Sequence, residues 1–175
     1  MNNLQLRDAR DADRTAIESV TLAAYQEYAP TMGEMWKFYR ANILETLAKV
    51  KPAEQIVAER KEGIVGTVLL YPAGNPVQAQ NGTVIRFDLP EIRLLAVTPA
   101  ARGQGVSTAL MQECVCRARH SGAGALSLHT TDMMKVAMQM YERMGFVCDP
   151  ERDFHPAENV VVKGFRLDLN NAHPI

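Results

Sequence analysis

The sequence predicts an α/β (α+β) domain built on a mixed sheet, and three observations predict it. The chain has 175 residues, the size of one domain, and 47% of them are hydrophobic against 22% charged, enough for an ordinary core. Apolar spacing reads as two helices then two strands in the first half, and as strand, helix, strand, helix, strand in the second. The run "EIRLLAV" at 91–97 is nearly continuous in apolar residues, which suits the middle of a sheet.

The elements follow in order. Residues 2–7 alternate like a short strand. A helix follows, with Asp11 as its expected N-cap and Ile17, Val20, Ala24 and Tyr28 at helical spacing. Pro30 and Gly33 are expected to break it. A second helix, "EMWKFYRANILETLAKV", sets Met35, Phe38, Ile43, Leu44 and Leu47 mostly on one side, and Pro52 closes the section. Residues 54–74 read as a hairpin about the turn "KEG". Residues 73–82 hold Gly, Pro and Asn with few apolar residues and read as a loop. After the strand at 91–97 come a glycine turn, a helix to about His120, the strand "ALSLHT", a helix stopped by Gly145, and two last strands, "FVCD" and "VVVKGFRLDL".

Composition narrows the function. A net charge of −1 argues against a nucleic-acid binder working through bulk positive charge. The N-terminus has no apolar run of signal-peptide length, and the chain has no run of about 18 apolar residues, so a soluble cytoplasmic protein with no membrane partner is expected. Three cysteines, Cys114, Cys116 and Cys148, with no CxxC, argue against a disulfide framework or a metal site.

The informative stretch is "RGQGVST", 102–108, between a buried strand and a helix. Backbone N–H groups at a helix start lack partners within the helix and, with its dipole, attract phosphate. Gly103 and Gly105 let the backbone bend close to a ligand. Arg102 adds a charge suited to phosphate oxygens, and Ser107 and Thr108 add hydroxyls. The turn lacks GxxxxGK[ST] and the third glycine of GxGxxG, so neither common nucleotide loop fits.

Together with "AMQMYERMGFV" downstream, this stretch resembles the GNAT superfamily of acyl-CoA-dependent N-acetyltransferases. Arg102, Gly103, Gln104, Gly105, Val106 and Ser107 fit five of the six places of the family loop [QR]xxGx[GA]; Ser107 stands where Gly or Ala is usual. Ala137, Tyr141, Gly145 and Phe146 match the family's closing motif. The resemblance is strongest over 90–148 and rests on element order alone over 1–72. It implies a GNAT-like sheet of about seven strands with helices on both faces, its fourth and fifth strands (91–97 and 125–130) splayed. It also implies acetyl-CoA as co-substrate, no metal, pantetheine on Leu95, Ala96 and Val97, the diphosphate on Arg102 through Thr108, and Ala137 against the cofactor.

Acetyl transfer needs a neutral amine, whereas a free alkylamine has a pKa near ~10. A base must take its proton, an N–H must face the developing oxyanion, and the departing thiolate gains from an acid. By the resemblance these are Glu91, the Val97 N–H and Tyr141. His129, at the end of the fifth strand, stands as an alternative base. The Met-rich segment 133–144 and the aromatic residues Tyr25, Tyr28, Trp36, Phe38 and Tyr39 read first as packing, or else as walls of an acceptor pocket. A small-molecule amine is the favoured acceptor, with a protein or peptide amine, a silent acyl-CoA-binding module and an unrelated nucleotide-binding enzyme as alternatives. The last strand is long enough to pair across chains, so a homodimer is an open expectation.

Overall fold

The computed structural model describes residues 4–51, 54–74, 76–78, 84–86, 88–157 and 160–170. Its strands are β1 (Gln5–Asp8), β2 (Gln55–Arg60), β3 (Gly63–Tyr71), β4 (Pro76–Gln78), β5 (Val84–Arg86), β6 (Glu91–Val97), β7 (Ala125–Thr130), β8 (Val147–Cys148), β9 (Phe154–Ala157) and β10 (Val160–Asp168). Its helices are α1 (Arg14–Tyr25), α2 (Ala29–Met32), α3 (Met35–Lys49), α4 (Val106–His120) and α5 (Lys135–Arg143). The chain divides into two compact units, 1–70 with 94–113 and 71–93 with 114–175.

In the first unit β1, β2, β3 and β6 are neighbours in that order. The β1–β2 and β2–β3 pairs are antiparallel. Ile56, Val57, Val68 and Leu69 are fully buried because the β-branched and leucine side chains of this hairpin form its core. Gly66 on β3 has a packing reason: a Cβ there would lie 2.8 Å from Val106 Cγ1, 3.1 Å from Leu110 Cδ1 and 3.2 Å from the Ala96 carbonyl. The first turns of α4 therefore lie directly against this strand.

In the second unit the order is β6, β7, β10, β8, with β9 on β10. The β6–β7 pair is parallel, and its register holds only Glu91↔Ser127 and Ile92↔Leu128. Two positions later Leu94 has φ 49°, the left-handed conformation a leucine seldom takes. Strand β10 is antiparallel to β7, β8 and β9. The mixed α/β architecture is thus the expected one, with β9 as a strand beyond the expected seven.

Several local expectations are corrected. Asp11 lies inside a 3₁₀ turn, Asp11–Asp13, and it is the Asp13 carboxylate that accepts the Arg10 N–H, at 2.7 Å. Pro30 does not break a helix but sits in the first turn of α2, where its missing N–H costs nothing; Gly33, φ 54°, is the break. Met35 and Phe38 are 57% and 59% exposed, because α3 buries the face of Ile43 and Leu47 instead. The expected loop 73–82 contains β4, antiparallel to β5, because the main chain of Pro76–Gln78 finds a partner in Val84–Arg86. Residues 79–83 and Pro52 lie outside the described residues.

Candidate functional site

The glycine turn of the first unit follows a 3₁₀ turn, Pro99–Ala101. Gly103 and Gly105 have φ of 69° and 78°, and a Cβ on either would meet nothing within 4 Å. Their requirement is therefore conformational, and the space a side chain would fill is open, as a cradle for an incoming anion must be. The Ala109 N–H closes the first helical turn on the Gly105 carbonyl at 3.0 Å. The N–H groups of Val106, Ser107 and Thr108 lead that turn. Val106 is buried, Ser107 half-buried and Thr108 exposed. α4 begins at Val106, with Ser107 as its second residue.

The charges around this turn are arranged in a way the sequence did not foretell. The Arg102 guanidinium grips Glu27, Nη1 to Oε2 at 2.7 Å and Nη2 to Oε1 at 3.2 Å, and Nη2 also reaches the Ala24 carbonyl at 3.1 Å. Arg102 thereby ties the turn to the end of α1. Gln104 donates to the Ala100 carbonyl at 2.9 Å and accepts from Arg60 Nη1 at 2.5 Å. Leu95 and Val97 are half-buried and Ala96 is buried. Beside α1, Tyr25 packs with Tyr28 and Tyr39, and Tyr39 with Trp36, at centroid separations of 6.0–6.3 Å.

The second unit holds a different kind of site. Glu91 is 1% exposed, yet it is ionisable, so its burial needs partners. It has them: Ser127 Oγ–H donates to Oε2, and His129 Nδ1 lies 2.5 Å from Oε1. The parallel register sets this up, because Glu91 stands opposite Ser127. His129 Nε2 in turn lies 2.9 Å from the Arg152 carbonyl. The Arg152 carbonyl calls for hydrogen on Nε2, and the Nδ1–Oε1 contact holds one proton between ring and carboxyl. Burial pulls the His129 pKa down, but the hydrogen bond and charge of Glu91 and the Arg152 carbonyl outweigh it and raise the value. Phe154 packs edge-on to the ring at 5.2 Å.

The Arg152 carbonyl is itself held. Its guanidinium is bidentate on Asp88, at 2.6 and 2.9 Å, and bonds Asp149 at 3.0 Å. Gly164, opposite His129 in β10, leaves room for this turn: a Cβ there would lie 2.5 Å from Arg152 Cβ. Tyr141, on α5, is buried, with its ring 6.0 Å from Phe146, and Ala137 is half-buried one turn earlier.

Glu91 and His129, alternative bases by the sequence, are thus brought together in one network. Ser127, Arg152, Glu27 and Arg60 were missed. Each lies far in sequence from the group it serves, and only the inward position of Ser127 on an alternating strand offered a signal. Among the described residues no group of three or more His, Cys, Asp or Glu side chains is placed to hold a metal ion, and no helix is long and apolar enough to cross a membrane.

The parallel pair β6–β7 is held by two register positions, and β6 leads on into the left-handed glycine turn and α4. The family model described as the acetyltransferase (GNAT) family matches residues 21–146, and the chain belongs to that family. Human N-acetyltransferase 8B is 30% identical over 117 residues, covering 67% of this chain and 46% of that protein. The rat protein of the same name is 30% identical over 122 residues, covering 65% and 52%. The chain spans about half the length of these curated relatives. A GNAT family acetyltransferase from Brucella melitensis, solved with acetyl-CoA, superposes with a TM-score of 0.61 at 21% identity, covering 99% of this chain and 93% of that one. The PaiA N-acetyltransferase of Thermoplasma acidophilum, solved with coenzyme A, gives 0.68 at 13% identity, covering 95% and 99%.

Proposed function

We propose that this domain moves an acetyl group from acetyl-CoA to an amine acceptor, a small molecule rather than a protein or peptide. The observation that carries the reading is the open, left-handed glycine turn at the head of α4, inside the region the family model matches. Acetyl-CoA supplies the acetyl thioester. The main chain of Leu95, Ala96 and Val97 holds the pantetheine arm, residues 102–108 hold the diphosphate, and Ala137 borders the cofactor. The Val97 N–H faces the developing oxyanion.

Glu91 takes the amine proton, through water because the carboxylate is buried. His129 is not the base in this reading; it and Ser127 orient the carboxylate. Tyr141 O–H returns a proton to the departing thiolate. The net charge of −1 supports a small acceptor over a polyanion-bound protein target.

The test is thiol release from acetyl-CoA against polyamines, aminoglycosides, amino acids and peptides, beside calorimetric titration with coenzyme A. Release with one acceptor class is expected. Binding without release from any acceptor would favour a silent acyl-CoA-binding module, and no binding would remove the reading altogether.

A further inference from the structure

We infer that Arg60, on β2, supplies the cation for the diphosphate of acyl-CoA, while Arg102, the arginine of the loop motif, serves to brace the turn; this rests on the acyl-CoA reading above. Arg102 has both terminal nitrogens on Glu27, and one of them also on the Ala24 carbonyl. Its charge is already answered by a carboxylate. Arg60 is placed differently. Its Nη1 donates to a neutral amide oxygen, Gln104 Oε1, in the middle of the glycine turn. Its Nε is buried and has no hydrogen-bond partner among the described residues. It forms no ion pair with any described carboxylate.

A guanidinium carries five N–H donors, and a single amide oxygen engages one of them. The positive charge at this turn that lacks an anion therefore belongs to β2 and not to the motif. Gln104 fixes the approach. Its Nε2 is held on the Ala100 carbonyl, so its oxygen points to Arg60 and keeps the guanidinium at the turn. Phosphate oxygens suit such a fork, since charge-assisted bonds to them are short and roughly twice as strong as neutral ones.

The experiment is calorimetric titration of coenzyme A and of 3′-dephospho-coenzyme A into wild type, Arg60→Ala, Arg60→Gln, Gln104→Ala and Arg102→Ala, each at low and at raised salt. Thermal melting confirms the fold, and Arg60→Gln serves if the alanine variant melts early. Loss of Arg60 is expected to weaken both ligands about tenfold and to flatten the salt dependence. Gln104→Ala is expected to cost about threefold or less, with the salt dependence kept. Three outcomes would overturn the inference while leaving the acyl-CoA reading intact: binding by both Arg60 variants within about twofold of wild type, a larger loss in Arg102→Ala than in either, or a loss confined to the 3′-phosphorylated ligand. Absence of coenzyme A binding by wild type would instead overturn the acyl-CoA reading, and this inference with it.

Discussion

The glycine turn at 102–108 and the Glu91 network solve opposite problems. The turn is largely exposed, with left-handed backbone and open space above its glycines, and of the two arginines beside it Arg102 is held by a carboxylate and Arg60 by a neutral amide. The network is buried, and each reactive atom in it has a partner: Glu91 has two, and both His129 nitrogens face acceptors. In the proposed function one region offers its backbone donors to a ligand. The other fixes a charge in place where water cannot. A binding surface tolerates unanswered polar groups because solvent answers them, whereas a buried carboxylate is tolerated only inside a complete set of donors.

That contrast can be broken or sharpened by substitution. The largest effect is expected for Glu91→Gln, which should lower turnover about a hundredfold or more while coenzyme A affinity stays within about threefold. Rates and titrations measured on the same sample check it, with a melting curve to confirm the fold. A joint loss of rate and affinity would mean that the two regions are not separable. Tyr141→Phe should reduce turnover at least about tenfold, with little change in acetyl-CoA binding; unchanged turnover would end the acid role. Gly103→Ala should do the reverse, weakening coenzyme A about tenfold, since a left-handed alanine costs roughly 1–2 kcal/mol.

A pH series tests the buried pair. The His129 pKa is raised, so its contribution to stability is full below the ordinary value of 6.5 and is lost as pH rises through the raised one. Denaturant midpoints between about pH 6 and 9 should therefore fall with pH, and His129→Asn should flatten that slope. A wild-type midpoint that stays level would argue that the ring is neutral. The smallest effect belongs to Glu27→Gln. Glu27 and Arg102 are 45% and 41% exposed, so stability should change by less than about 1 kcal/mol.

The order of elements was legible because each long helix and central strand carries its own periodicity, as with Ile17, Val20 and Ala24 or the run at 91–97. The turn was legible too, since only glycine meets φ of 69° and 78° without strain. The network was half legible. Glu91 and His129 stood out as ionisable residues on apolar strands, but their meeting depends on a parallel register that sets Glu91 opposite Ser127, 36 residues away, and no local pattern encodes a register. The Arg152 carbonyl was illegible for a plainer reason: a main-chain oxygen belongs to every residue, and nothing in a side chain advertises its use. Pro30 and the β4–β5 ribbon were misread because proline and glycine punctuate a chain without saying on which side of the mark an element begins.

Gly66 reaches further than its place in a hairpin. A single methyl there would push against Val106, the first residue of α4, and so against the turn that precedes it. If the proposed coenzyme site is right, a substitution at 66 in a screen of random variants would score as a lesion in coenzyme binding although it touches no coenzyme. Position 66 thus acts as a shim beneath the glycine turn, and its thickness sets the level at which α4 begins.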